Sequence, residues 1–348
     1  LLFIRDYIIS TSKYKTTSLL ISVNTSEKSL SRLLKGSLKR VDKEISINIK
    51  DEEKLITLTA GHLIKAKGKK IRPLLTLLIA RILNYKGSAD VTLAVCIEFI
   101  HNATLLHDDV IDAGKIRRGK MSANEIWGNK VSVLVGDYLL SRAFKLMVKN
   151  KSLKLLEILS QTSLILARGQ IQDVGNNQNV NLSEKKYLSI INAKTAELFR
   201  ISCYLPTIIA NQDRKTQKIF NDFGFNFGMA FQLSDDILDY FGNSKKMGKN
   251  IGKDFFEGKV TLPLIIIFQK GNEEERDFLF EILKKDKRNE DDFSETLALL
   301  NKYKAIEASL KRAEYFVNVS HDSLGIFPDN EEKKILQNLT SFSLNRSF

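Results

Sequence analysis

The stretch DVTLAVCIEFIHNATLLHDDVID, residues 90–112, decides the fold. Its apolar residues fall on nearly every side of a 3.6-residue turn, the pattern of a helix buried all round rather than along one stripe. It ends in Asp108-Asp109-Val110-Ile111-Asp112. On a helix, residues i and i+4 share a face one turn apart, so Asp108 and Asp112 stand side by side, with Asp109 one position round. Carboxylates that dense repel one another unless a cation neutralises them.

Outward from this helix the same pattern recurs. Val131 to Val148 and Phe220 to Tyr240 are similarly apolar, and Leu182 to Leu205 and Thr261 to Phe268 add further helical segments. The Phe220 run also ends in acids, Asp235-Asp236-Ile237-Leu238-Asp239. One such cluster alone reads equally well as a helix end pointing at water. Two, each terminating a strongly apolar helix, do not fit a solvated face. Magnesium wants hard oxygen ligands and is usually held by one or two carboxylates together with substrate phosphates, so the pair points to a magnesium diphosphate site.

Breakers fall between these segments: Gly87-Ser88, the polar loop 173–179, Ser183-Glu184 opening a helix, and Gly242-Asn243-Ser244. The four prolines leave long stretches in which helices run unbroken. No strand alternation is sustained, no repeat of solenoid length occurs, and the charged piece 271–293 reads as a solvated helix pair. The expectation is one all-α domain over residues 26–348. Residues 1–25 stand outside it as an extension. They begin with Leu1, are Ser/Thr-rich and carry Arg5, Lys13 and Lys15 against Asp6, faintly like a transit peptide, but the reading preferred is a misassigned start or a fragment boundary.

Composition bounds the partners only loosely. Hydrophobic content of 43% suits a globular core, and a net charge of +13 suits nucleic acid, an anionic membrane surface or a phosphorylated substrate equally. No nucleic-acid motif accompanies the charge. The two cysteines, Cys96 and Cys203, lack metal-ligand spacing and read as buried free thiols of a reducing compartment, so a cytoplasmic location is expected. No run reaches the roughly 20 apolar residues needed to span a bilayer.

In order along the chain stand Glu98-Phe99-Ile100-His101-Asn102-Ala103-Thr104-Leu105-Leu106-His107-Asp108-Asp109, Arg117-Arg118-Gly119, Gly128-Asn129, 135–140 (VGDYLL), Lys194-Thr195, Phe231-Gln232, Gly248-Lys249, Gly252-Lys253-Asp254 and 257–263 (EGKVTLP). Several are weak singly. In this order and spacing, from about Ser26 to the C-terminus, they resemble the trans-isoprenyl diphosphate synthases, and most nearly the long-chain bacterial octaprenyl and decaprenyl synthases.

The resemblance implies an isoprenoid-synthase bundle of long antiparallel helices around a deep central cavity, with the aspartate clusters facing each other across its mouth. It implies that Asp108, Asp112 and Asp235 bind three magnesium ions, with Asp239 in the metal set and Asp109 and Asp236 in support. Arg117, Lys194, Thr195, Gln232, Lys249 and Lys259 would contact the allylic diphosphate, a farnesyl or geranylgeranyl primer. Lys69, Arg72, His101 and Arg118 would hold isopentenyl diphosphate. Ionisation of the allylic C–O bond, condensation and proton loss follow, with apolar walls excluding water from the carbocation. His107 reads as structural. Lys67 and Lys70 replace a glycine and an arginine of the family's Gly-Gly-Lys-Arg turn, which bears on isopentenyl affinity, and Arg346 sits where family chains place a terminal arginine. A homodimer is typical of the family, and the basic surface suggests a peripheral lipid contact.

Product length follows from the cavity below Asp108. Short-chain members commonly place an aromatic floor five positions earlier, about 7.5 Å along the helix, or one position later. Here those positions are Ala103 and Thr104. The chain should pass them, with Phe144 or Met147 as a lower floor, giving a C35 to C50 product with C40 or C50 favoured, of the quinone side-chain kind. The competing readings are a geranylgeranyl or farnesyl synthase, a class I terpene cyclase, which needs no isopentenyl site, and a non-catalytic subunit, which usually loses aspartates.

Overall fold

The computed structural model describes residues 33–66, 68–241 and 251–345, and there the chain is helical nearly throughout. In order come α1 (Lys35–Asn48), α2 (Lys54–Lys65), α3 (Ile71–Ile82), α4 (Ala89–Ile111), α5 (Ala123–Trp127), α6 (Asn129–Lys149), α7 (Leu153–Gly175) and α8 (Glu184–Ile191). A π turn, Asn192–Ala196, leads into α9 (Glu197–Ile209). Then follow α10 (Arg214–Phe241), α11 (Lys253–Phe256), α12 (Leu262–Lys270), α13 (Glu273–Lys284), α14 (Glu290–Lys302), α15 (Ala305–Ser323) and α16 (Glu331–Asn345). The N-terminal extension and the Gly242-Asn243-Ser244 breaker lie outside the described residues.

The helix α4 is the central one, buried from Val91 through Leu106 on most faces. By length and composition it is apolar enough to cross a bilayer, but 72% of its apolar window is buried inside the protein, as befits a core helix. The antiparallel helix α6 lies along it. Cys96 Sγ meets Ala143 O at 3.6 Å and, nearer the aspartates, His107 Nε2 meets Val133 O at 3.2 Å. One core packs α3, α4, α6, α7, α9 and the first half of α10; a second packs α8, the rest of α10 and α12 to α15. The helix α10 thus runs through both.

Close approach is made by small residues. A Cβ on Gly224 would stand 2.8 Å from Phe199 O, and one on Gly228 2.5 Å from Ala196 Cα, so the two glycines let α10 lie against α9 and the π turn. Pro206 sits inside α9, where it cannot donate to Ser202 O. The buried Thr76 hydroxyl on α3 donates to that carbonyl at 3.0 Å, so the helix keeps its path.

Three boundaries differ from the sequence reading. The helix α7 continues to Gly175, and the polar loop begins three residues later than read. The Leu182 to Leu205 run is divided by the π turn. The pair α13 and α14 exists, each opened by a capping box, on Asn272 and on Asn289, but the connection between them turns Arg288 inward and the first turn of α14 buries Asp292. Ser183 caps α8 as read, accepting from Lys186 N–H at 3.2 Å. Both cysteines are buried and unpaired, and burial pushes the Cys96 thiol up to about 12 and the Cys203 thiol up as well. A thiol reagent should therefore label neither cysteine in the folded protein within minutes and both once denaturant is added. Labelling of either one before unfolding would show that the core opens.

Candidate active site

The first aspartate cluster closes α4, with Asp112 at its C-cap. Helix C-termini carry partial negative charge, so acids there need cations close by. Asp109 is 2% exposed, and its Oδ1 accepts from Arg117 Nε at 2.9 Å and Nη2 at 2.5 Å. Its Oδ2 is buried without a hydrogen-bond donor. Burial raises the Asp108 carboxyl, Lys194 opposes that, and Asp112 adds to it.

Arg117 arrives on a feature the sequence reading missed, a two-stranded hairpin of β1 (Ile116–Arg117) and β2 (Lys120–Met121). Its two-residue turn is Arg118-Gly119, with φ of 54° and 74°. Positive φ at both central positions is what a type I′ turn requires, and the Arg-Gly pair was the available signal. Arg118 folds back from the turn and donates to Ala66 O at 3.3 Å, at the end of α2. Its guanidinium lies 2.7 Å from where a Cβ on Gly68 would stand, so Gly68 and Arg118 together shape the loop carrying Lys69.

Arg72 opens α3. It lies 4.0 Å over the Phe199 ring, with Nη1 3.4 Å from His101 Nε2. Burial, then the charges of Arg72, Arg118 and Arg117, hold His101 well below its ordinary range, hence neutral. The same charges show that three of the four residues read as an isopentenyl site, Arg72, His101 and Arg118, share one region. Lys69 is on the exposed loop between α2 and α3. His107 packs against Gly136, where a Cβ would stand 2.3 Å from its ring, and lies 3.4 Å from Asp137.

The second cluster lies in the last turns of α10. Gln232 accepts from Thr195 Oγ1 at 2.7 Å and donates to Asp236 Oδ1 at 2.7 Å, while the Tyr187 hydroxyl donates to Asp236 Oδ2. Burial, with the charge of Asp254, pushes the Asp236 carboxyl up to about 8. Asp239 Oδ2 accepts the Asp254 N–H at 2.8 Å and so ties the first turn of α11 to α10.

Two lysines stand between the clusters. Lys194 projects from the π turn to Asp173 at 2.6 Å. Burial would lower its ammonium, but Asp173 and Asp108 outweigh that and raise it. Lys259 lies 3.6 Å from Asp112, 3.6 Å from Asp254 and 3.0 Å from Glu257, and those acids raise it in the same way against burial. A cavity of about 210 Å³ runs between them, bordered by Asp112, Lys194, Thr195, Gln232, Asp236 and Lys259. Residues of both clusters thus border one cavity. Sequence reasoning missed Asp173, Tyr187, Asp254 and Glu257 as site residues; Asp254 and Glu257 lie inside quoted motifs but were given no role. Lys249, Lys67 and Arg346 lie outside the described residues. Ala103 and Met147 are buried in the main core, with Phe144 packed against it, and Thr104 donates to His101 O at 2.8 Å.

The donor set is hard oxygen, with an orphaned buried oxygen on Asp109 and carboxylates grouped around Lys194 and Lys259. Among the described residues no three His, Cys, Asp or Glu side chains form a closed metal cage. Such a set fits magnesium, which takes one or two carboxylates and completes its shell with phosphate oxygens and water.

The polyprenyl synthetase family model matches residues 53–300. The octaprenyl diphosphate synthase of Haemophilus influenzae is 36% identical to the chain, over 92% of it and 97% of that protein. The crystal structure of a polyprenyl synthase from Caulobacter crescentus, complexed with calcium and isoprenyl diphosphate, is similar with a TM-score of 0.88 and 39% identity, over 92% of this chain and 98% of that one. A decaprenyl diphosphate synthase from Rhodobacter capsulatus is similar with a TM-score of 0.88 and 36% identity, over 92% and 99%. Fold and site define a magnesium-dependent prenyltransferase of the all-α isoprenoid-synthase class. The chain belongs to the polyprenyl synthetase family, whose substrates are isopentenyl and allylic diphosphates.

The π turn is held from both sides by glycines: a Cβ on Gly169 would stand 2.7 Å from Lys194 N, opposite Gly228. Gly228→Ala should therefore push the turn and Lys194 out of place. We expect a stability loss of about 1–3 kcal/mol in denaturant titration, as for overpacked cores, together with reduced turnover. A variant of unchanged stability would show that the turn yields freely.

Proposed function

We propose that the chain is a long-chain all-trans polyprenyl diphosphate synthase, extending a farnesyl or geranylgeranyl primer with isopentenyl diphosphate to a C40 to C50 product, of the kind used in quinone side chains. The observation that carries this reading is one cavity edged by Asp112, Asp236, Lys194 and Lys259, beside the Arg72–His101–Arg118 cluster. An ionising site and a second anion site are what condensation of two diphosphates needs. The long-chain relatives support the length, as does the small Ala103 below Asp108.

In this reading Asp108, Asp112, Asp235 and Asp239 hold magnesium, three ions in all, which when bound offsets negative charge on the diphosphate. Lys194 and Lys259 remain charged and turn from their carboxylates to the departing diphosphate, with Arg117 held toward it by Asp109. Thr195 and Gln232 fix the edge of the pocket through Asp236. Neutral His101 accepts from Arg72 and orients it, with Lys69 and Arg118, on the isopentenyl diphosphate, and the released diphosphate takes the proton. Apolar side chains along α4 and α6 keep water from the carbocation.

We also propose a homodimer through the outer faces of α6 and α7. Leu134, Leu164 and Ile171 are 66%, 52% and 72% exposed there, more apolar surface than two neighbouring helices need show to water. The turn between α6 and α7, at the end of α6 remote from the aspartates, shows Val148 and Leu153 beside Lys149, Lys151 and Lys154 and suits a peripheral contact with anionic lipid. A cytoplasmic location agrees with the two unpaired thiols.

The purified chain, given magnesium, farnesyl diphosphate and excess isopentenyl diphosphate, should yield C40 to C50 products on chromatography. Accumulation of C15 or C20 alone would refute the long-chain reading. Ala103→Phe should shorten the product by several units at little change in the rate of primer consumption. An unchanged product would show that the growing chain does not pass Ala103.

A further inference from the structure

Three successive carbonyls lead up to Lys259, and each is held from outside its own loop. Arg288 Nη1 donates to Phe256 O at 2.9 Å. Asn177 Nδ2 donates to Glu257 O at 3.2 Å, and the Gln178 N–H donates to Gly258 O at 3.0 Å. We infer that Arg288 is a positioning residue for Lys259, acting with Asn177 and Gln178 through these carbonyls. The inference rests on the proposed role of Lys259 at the allylic diphosphate and extends it to Arg288, which does not border the cavity, whereas Asn177 does.

The local chemistry favours positioning over a surface role. Arg288 lies between α13 and α14 in a lysine-rich connection, yet it is 9% exposed while Lys284, Lys285 and Lys287 face water. Its second terminal nitrogen donates to Leu283 O, near the C-terminus of α13, so one guanidinium fork joins α13 to the end of α11. Asp292, the acid whose charge bears on Arg288, is engaged by Lys285 Nζ at 2.6 Å. A buried arginine whose fork goes to two backbone carbonyls fixes backbone geometry, and a lysine, with a single ammonium, cannot span the same pair.

Gly258 is built to admit that fork. Its φ is +80°, and a Cβ there would stand 2.7 Å from Arg288 Nη2 and 2.9 Å from Gln178 Cγ. The residue before Lys259 is therefore pressed from both sides, by the α13–α14 connection and by the polar loop after α7. That loop begins just beyond Asp173, which pairs with Lys194. One polar segment therefore helps place both cavity lysines.

The test is a double-mutant cycle on affinity for the uncleavable analogue farnesyl thiodiphosphate, with magnesium, measured by calorimetry on the full chain. Lys259→Met should weaken binding; if it does not, the reading of Lys259 itself fails, and the inference with it. Given that loss, Arg288→Lys should weaken binding about tenfold in the native background and less than twofold beside Lys259→Met, a coupling within the usual range for groups acting as a unit. Equal losses in both backgrounds would make Arg288 a general structural strut and overturn the inference. So would unchanged binding. If Arg288→Lys fails to fold, Arg288→Gln, which keeps an amide donor at the same buried place, decides by the same criterion.

Discussion

Repulsion among carboxylates at the ends of two buried helices is the constraint that organises this protein. The helices α4 and α10 both finish in aspartates, where the helix field already disfavours negative charge. Burial compounds the problem, raising Asp108 and Asp236 toward protonation. The acids of the first cluster are answered by cations from three different connections: Arg117 from the hairpin, Lys194 from the π turn and Lys259 from the loop after α11. Asp236 is answered by the Tyr187 hydroxyl and the Gln232 amide. The irregular parts of an otherwise helical chain are thus the parts that deliver positive charge.

Irregular backbone must itself be held. In the hairpin, left-handed Arg118 and Gly119 turn the chain within two residues. At the π turn, Gly169 and Gly228 allow two helices to close on the backbone of Lys194, which ordinary side chains would keep apart. At the third connection Gly258 admits Arg288 from one side and Gln178 from the other. A π turn and positive-φ residues are less stable locally than continuous helix, and they persist because the surrounding packing over-determines them.

Much of this was legible in the sequence for a physical reason: all-round apolar runs admit few structures besides buried helices, and acids ending such runs ask for a cation. The positions of α4, α6 and α12 followed from that, within two residues, as did α10 apart from its more polar first six residues, and so did the free buried cysteines. Less legible was whatever depends on contacts between distant segments. Asp173 looks like loop polarity until α7 is seen to run past it beside Lys194. Tyr187 looks like an apolar helix residue until its hydroxyl meets Asp236 across α10. Arg288 sits in a run of surface lysines, and no local pattern separates it from them.

The lysine–carboxylate pairs also bear on the order in which ligands find the site. With the proposed roles, Lys259 satisfies Asp112 and Lys194 satisfies Asp173 and Asp108 before any substrate arrives. An allylic diphosphate alone would draw the lysines away and leave those acids facing one another. A divalent cation alone would compete with the lysines for the carboxylates. Arriving together, each relieves the other's penalty: carboxylates pass to the cation, lysines to the diphosphate, and no buried charge is left unpaired. Cation and diphosphate binding are then reciprocally coupled, each tightening the other by the same factor. The pairing thus favours the metal diphosphate over either component, and it follows from where α4 and α10 end.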